Sequence, residues 1–218
     1  LPRSALSLIS LARQAKARSQ MTNGGLTVRL LICAGGTGGG VYPALAVHSA
    51  LTSQRPNVET LWVGGEGGME EELVNRAGIS YRSIPAAGVH GVGLRTLPGN
   101  IAKLTRGVAA SRRILREFKP DVLFFTGGYV AAPMALAGRN IPTVLYVPDI
   151  EPGLALKFLS RFADRVTVTA PNSKKYFSRP GRVILSGYPL RADLSNWSRE
   201  KATQHFGLTT TKPTLLVT

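Results

Sequence analysis

From Thr27 onward, eight short runs of β-forming residues alternate with helical patterns, and two of the runs, Leu30-Leu31-Ile32-Cys33-Ala34 and Val122-Leu123-Phe124-Phe125, are apolar at every position. A strand with one wet face alternates apolar and polar residues. A strand that is apolar throughout is covered on both faces, as in a parallel sheet packed between helices. Strands are expected at 28–34, 60–63, 81–85, 122–126, 143–147, 166–169, 183–185 and 214–217. Helices are expected at 43–53, 69–77, 100–118, 131–138, 154–162 and 198–206. The fold class that follows is α/β: a doubly wound, Rossmann-like parallel sheet, whose ligands sit beyond the carboxyl ends of its strands.

The pattern breaks at Ser186-Gly187-Tyr188-Pro189-Leu190-Arg191 and then resumes with a polar helix and a last apolar run at 214–217. That arrangement predicts a folded unit over 25–186, followed by a linker and the opening of a second, truncated α/β domain over 187–218. Residues 1–24 are expected to lie outside the fold. Their first twenty hold Arg3, Arg13, Lys16 and Arg18 and no acid, with Met21 just beyond. Such a stretch reads either as a transit-type leader or as upstream sequence translated in frame.

Two loops carry the chemistry. Gly35-Gly36-Thr37-Gly38-Gly39-Gly40 follows the first strand and opens a helix, and Thr126-Gly127-Gly128-Tyr129-Val130 does the same after the strand at 122–126. Glycine permits positive φ and close backbone approach, and a helix N-terminus offers unpaired N–H groups at its positive end, which suits a diphosphate or an oxyanion. A tight strand-to-helix turn without a ligand is the plainer alternative. A P-loop would need Lys-Ser/Thr where Val41-Tyr42 stand, and a dinucleotide fingerprint would want Gly at position 41 and an acid after the second strand, where Gly64-Gly65 stand. Two such loops at strand ends in one sheet point to one shared cleft.

Charge narrows the partners. With 27 basic and 12 acidic side chains the net charge is +15, and without residues 1–20 it is still 23 against 12, or +11. A positive surface of this size favours phosphates. No Asp-x-Asp occurs and the three histidines are scattered, so neither a divalent metal nor another cofactor is expected. The single cysteine, Cys33, lies inside an apolar run and rules out an internal disulfide framework. The 100–118 helix carries Ile101, Leu104, Val108, Leu115 and Phe118 as an apolar stripe, with Asn100 placed as N-cap and Pro120 as the stop. Lys103, Arg106, Arg112, Arg113 and Arg116 stud the same helix, either as a solvated face or as a surface that docks on anionic headgroups. No basic-aromatic nucleic-acid module is visible, so nucleic acid is not expected as a partner.

Four blocks in order resemble the MurG family of peptidoglycan N-acetylglucosaminyltransferases, a metal-independent GT-B group. They are Gly35-Gly36-Thr37-Gly38-Gly39 with Val41-Tyr42-Pro43-Ala44-Leu45-Ala46-Val47, then Met69-Glu70, then Gly127-Gly128-Tyr129-Val130 with Pro133, then Gly187-x-Pro-Leu-Arg191. The resemblance implies that the C4 hydroxyl of the muramic acid unit of lipid I, a polyprenyl-diphosphate acceptor, attacks UDP-N-acetylglucosamine with inversion. It also implies that residues 25–186 bind the acceptor, and that the enzyme works peripherally on an anionic membrane surface, at the cytoplasmic face of the bacterial inner membrane. Thr37, Gly38, Gly39 and Arg191 match positions that touch the donor, and Gly40, Gly127, Gly128 and Tyr129 complete the implied substrate-binding set. The chain departs from the family at two places. The family's loop ends in His where Gly40 stands, and its His-Glu-Gln-Asn becomes Tyr146-Val147-Pro148-Asp149. Asp149 and His90, the latter in Gly88-Val89-His90-Gly91, are therefore the replacement candidates for the base, with Asp149 also counted as substrate-binding. Asp149 could instead cap a helix, and His90 could be a solvated loop residue. His48 and His205 read as structural. A relative with a different acceptor, or a non-catalytic binder of sugar nucleotides or lipid diphosphates, remains the alternative to this transferase.

Overall fold

The computed structural model describes residues 27–36, 38–86, 97–191, 196–209 and 213–215. Seven strands form one sheet: β1 (Val28–Cys33), β2 (Val58–Gly65), β3 (Ser80–Ile84), β4 (Val122–Phe125), β5 (Thr143–Val147), β6 (Arg165–Val168) and β7 (Val183–Leu185). Their order is β3-β2-β1-β4-β5-β6-β7, and every neighbouring pair is parallel. Chain direction across the sheet reverses between β1 and β4, which pair Leu30 with Val122 through Cys33 with Phe125. In such sheets a crevice opens at the reversal point.

Among the described residues six α-helices accompany the strands: α1 (Gly38–Gln54), α2 (Glu70–Arg76), α3 (Leu97–Phe118), α4 (Ala131–Ala137), α5 (Leu154–Leu159) and α6 (Arg199–His205). The uniformly apolar strands are explained by two cores. Leu30, Ile32, Trp62, Phe124, Val144 and Tyr146 face α1, while Leu31, Cys33, Val63, Leu123, Phe125 and Leu145 face α3, α4 and α5. Successive residues of a strand point to opposite faces, so a sheet covered twice needs apolar residues at every position.

Several boundaries differ from those expected from sequence. Helix α1 starts at Gly38, five residues before the expected Pro43, and carries Pro43 inside it. The first four N–H groups of a helix have no internal partner in any case, so a glycine-rich first turn is tolerated where the preceding loop is fixed. Pro43 denies a helical partner only to the carbonyl of Gly39, an exposed residue. Asn100 is not an N-cap, because α3 begins at Leu97 and places Asn100 within the helix. The expected stripe is also offset. Ile101 is exposed, and the face in closest contact runs through Gly107, Ser111 and Ile114. A Cβ at Gly107 would stand 2.3 Å from the Pro85 carbonyl oxygen and 3.1 Å from Pro133 Cβ, so α3 lies on its neighbours through a residue that hydrophobic periodicity ignores. Helix α5 stops at Leu159 rather than Phe162, as its last residues tighten into a turn in which Phe162 N–H bonds the Leu159 carbonyl at 3.0 Å. Of the expected strand at 214–217, Thr214 and Leu215 have no strand structure, and the rest lies outside the described residues.

Candidate functional site

The two glycine loops meet at the point where the strand order reverses. A Cβ placed on Gly128 would fall 2.4 Å from the Gly35 carbonyl oxygen, so the loop after β4 touches the loop after β1 backbone to backbone. Gly127 and Gly128 hold φ values of +113° and +84°, which L side chains rarely adopt. Behind them Gly40 is buried, and a Cβ there would lie 3.2 Å from Thr126 Oγ1. The two loops are brought together because β1 and β4 are adjacent and both loops emerge at the carboxyl end of their strands.

The first loop is organised by a side chain to which the sequence reading gave no role. Glu70, at the start of α2, is only 1% exposed. Its carboxylate accepts from Gly36 N at 3.2 Å and from Gly65 N at 2.8 Å. Added Cβ atoms at Gly35, Gly64 and Gly68 would come within 2.2, 2.7 and 2.3 Å of its Oε1. The carboxylate thus occupies a pocket walled by glycines from two stretches of chain, the loop after β1 and residues 64–68 at the end of β2. Tyr81 closes it by donating to the Gly65 carbonyl at 3.2 Å. Burial first, then the Glu70 charge, pushes both the Tyr81 phenol and the Cys33 thiol far above their ordinary ranges. In sequence, Glu70 stands out only through the Met69-Glu70 block of the family resemblance. Its role depends on Gly35 and Gly36, which the fold brings from the loop after β1 to the neighbouring Gly64, Gly65 and Gly68.

Beyond that pocket, α1 presents its first turn at Gly38, Gly39 and Gly40, with Gly39 exposed. Helix α1 is 17 residues long, and a helix of that length offers unpaired N–H groups and a positive dipole end to an anion. Tyr42 continues this turn, and the guanidinium of Arg191 lies 5.6 Å from its ring centroid, within cation–π range. Arg191 is thereby close to the α1 N-terminus although 149 positions separate the two residues (191 − 42). Tyr129, in the second loop, is 59% exposed. Gly38, Gly39, Gly40, Gly127, Gly128, Tyr129 and Arg191 thus belong to one end of the sheet. Thr37 and His90 lie outside the described residues.

Asp149 is exposed in the loop that follows β5. It does not cap α5, whose N-cap is Gly153 with no side-chain bond. Tyr146, three residues earlier, is fully buried and meets Tyr188 edge-to-face with ring centroids 6.4 Å apart. Burial, with Tyr188 and Asp149 nearby, pushes its phenol well above the ordinary range. Among the described residues neither the Tyr146 hydroxyl nor that of Thr126 has a hydrogen-bond partner. His48 lies within α1 with burial lowering its pKa, and His205 packs against Trp197 and Phe206 at 5.0 and 4.9 Å between ring centroids. Among the described residues no group of three or more His, Cys, Asp or Glu side chains is gathered to hold a metal ion.

Lys103, Arg106, Arg112, Arg113 and Arg116 are all exposed along α3, and Arg113 shares Glu117 with Arg82. Arg112 and Arg116 flank a cavity of about 400 Å³ floored by Leu115, Ala137 and Ile141. No helix among the described residues is long and apolar enough to cross a membrane.

Against known proteins, residues 30–168 match the glycosyltransferase family 28 N-terminal domain. A relative from Desulfitobacterium hafniense (strain Y51) is 40% identical over 194 residues, covering 88% of this chain and 52% of its own length. One from Desulforudis audaxviator (strain MP104C) is 38% identical over 183 residues, covering 83% and 49%. Both are named UDP-N-acetylglucosamine–N-acetylmuramyl-(pentapeptide) pyrophosphoryl-undecaprenol N-acetylglucosamine transferase. Among solved structures, MurG of Acinetobacter baumannii superimposes with a TM-score of 0.63 at 28% identity, covering 77% of this chain and 48% of that one. The chain spans about half the length of the curated relatives it matches.

Proposed function

Because the chain belongs to glycosyltransferase family 28, we propose that it provides the acceptor-binding half of an inverting transferase that moves N-acetylglucosamine from UDP-N-acetylglucosamine to the muramyl sugar of a polyprenyl-diphosphate acceptor. The observation that carries this reading is the contact between the two glycine loops, which sets Gly127 and Gly128 beside the first loop at the reversal point of the sheet. There the first-turn amides of α1 receive a diphosphate, and Arg191, carried on Tyr42, adds a full positive charge beside it. Thr37, which lies outside the described residues, belongs to the substrate-binding set through the family resemblance, and exposed Tyr129 joins it from the second loop.

In the transfer the acceptor's C4 oxygen bonds to the anomeric carbon as the bond from that carbon to the diphosphate oxygen breaks. The hydroxyl proton passes to a base and UDP leaves with its charge held by N–H groups and guanidinium. Asp149, exposed at the end of β5 next to β4, is the base this reading prefers, and His90 is the second candidate. The exposed cations of α3 favour peripheral work on an anionic bilayer surface, at the cytoplasmic face of the inner membrane.

The test is transfer of labelled N-acetylglucosamine to a lipid I analogue by the full gene product that contains these 218 residues. Incorporation is expected, with Asp149→Asn slower than His90→Ala. Folded protein that binds the donor yet transfers nothing rejects the activity, and wild-type rates in both variants remove both residues from the role of base. A second reading, a relative with a different acceptor, is favoured by Gly40, which is buried under Thr126 and has no side chain to accept a proton. Rapid UDP-sugar turnover with another lipid-linked sugar and none with lipid I decides for it.

A further inference from the structure

Glu70 poses a problem for the diphosphate reading above, because a buried carboxylate stands directly behind a loop meant for an anion. Two charges of one sign in a poorly screened interior repel, so a carboxylate is kept there only if it does something a neutral residue cannot. Its contacts say what that is. An ionised carboxylate is acceptor-only, and Glu70 takes the Gly36 amide at 3.2 Å and the Gly65 amide at 2.8 Å. Gly36 has φ +85°, a conformation in which its N–H would otherwise be free to turn toward a ligand. Among the described residues Glu70 forms no ion pair that would account for its charge in another way.

We infer that Glu70 is a positioning residue of the diphosphate site: it withdraws the Gly36 amide from the ligand, ties the loop after β1 to the end of β2, and leaves the amides of Gly38, Gly39 and Gly40 as the donors that receive phosphate. This rests on the proposed role of the α1 N-terminus. Its consequence is a fixed register for the bound group. With Gly36 committed, the anion sits on the axis of α1, where the dipole is strongest, and not two residues back on the loop. The glycines at 35, 64 and 68 are needed so that the carboxylate can reach both amides, since a Cβ at each would collide with it.

The test uses amide exchange and NMR on the 218-residue chain, with inorganic pyrophosphate as the probe. Without ligand, the Gly36 and Gly65 amides are expected to exchange at least ten-fold more slowly than that of exposed Gly39. With pyrophosphate, the signals of Gly38, Gly39 and Gly40 are expected to move while those of Gly36 and Gly65 stay. In Glu70→Gln the carboxamide keeps one acceptor oxygen and turns an NH2 on the other amide. One of the two protected amides should then exchange at least ten-fold faster, and the ligand-induced shifts should spread to Gly36. A Gly36 signal that moves in wild type as much as those of α1 overturns the inference. So does a Glu70→Gln protein with unchanged exchange and unchanged shifts. If the variant does not fold, the wild-type shift pattern alone decides. Slow exchange at Gly36 and Gly65 without any pyrophosphate-induced shift sinks the diphosphate reading and the positioning role with it, while leaving the hydrogen bonds intact.

Discussion

In the loop after β1, Gly35 has an ordinary φ and is glycine because the Glu70 carboxylate fills the space its side chain would need; in the loop after β4, Gly127 and Gly128 are glycine because φ values of +113° and +84° demand it, and because Gly128 must rest on the Gly35 carbonyl. The two stretches read as the same motif in sequence. Their glycines serve three physical ends: room for a buried acid, a left-handed backbone, and an open first turn of a helix. Only the last of these leaves first-turn amides unpaired within the helix. The difference teaches that glycine content marks where the backbone is constrained, and that the cause of each constraint has to be found atom by atom.

The sharpest way to break the comparison is Gly128→Ala. The substitution combines a positive φ with a methyl 2.4 Å from a backbone oxygen, and backbone cannot swing aside as a side chain can. Together these should cost about 3 kcal/mol or more, lowering Tm by about 10 °C in a thermal melt of a domain this size. A loss below about 1 kcal/mol would mean that the loops separate at little cost and that the shared cleft is not rigid.

Gly35→Ala should come second, at about 2 kcal/mol from overpacking alone. Here the obstacle is a side chain, with Glu70 Oε1 2.2 Å from the new methyl. Removing the obstacle should remove much of the penalty. In a double-mutant cycle read by urea denaturation, Gly35→Ala with Glu70→Ala should cost clearly less than the sum of the two single changes. Strict additivity would show that Gly35 is constrained by something other than the carboxylate. Gly36→Ala follows, with φ +85° and open space within 4 Å of the added Cβ, so only the backbone preference is lost, about 1 kcal/mol. A cost as large as that of Gly128→Ala would erase the distinction between conformation and contact.

How much of this was readable in the residues follows from the same distinction. Strand β5 falls at 143–147 as expected, because a run buried at every position announces itself in composition, and the partly buried edge strand β7 falls at 183–185 as its short β-branched run predicts. The meeting of the two loops was readable too, since glycine runs after two strands of one parallel sheet emerge at the same end and touch when β1 and β4 are neighbours. The start of α1 was not, because Gly38, Gly39, Gly40 and Pro43 all argue locally against a helix that the pinned loop and the packing of Val41, Ala44 and Val47 enforce. The packing face of α3 was obscured because its closest contact is Gly107, a residue without a hydrophobic signature. Glu70 was marked in sequence only by the Met69-Glu70 block, without a role, because its environment joins 64, 65 and 68 to 35 and 36, which only the fold brings beside it.

The smallest expected change in stability belongs to Gly38→Ala, and it tests the third kind of glycine. Gly38 opens α1 and has no positive φ, so alanine suits the helix there and stability should stay within about 0.5 kcal/mol of wild type. The new methyl would stand 3.3 Å from Tyr42 Cε2, a partly exposed ring that can give way by a few tenths of an ångström. That ring carries the Arg191 guanidinium, and the methyl itself sits at the first-turn amides. Pyrophosphate affinity should therefore fall at least three-fold, by titration calorimetry, in a protein whose melt is unchanged. Such a separation of binding from stability is what a ligand-facing glycine requires and what Gly35 and Gly128 cannot give. Unchanged affinity in Gly38→Ala would place the phosphate away from the α1 axis and return the first loop to the status of a tight turn.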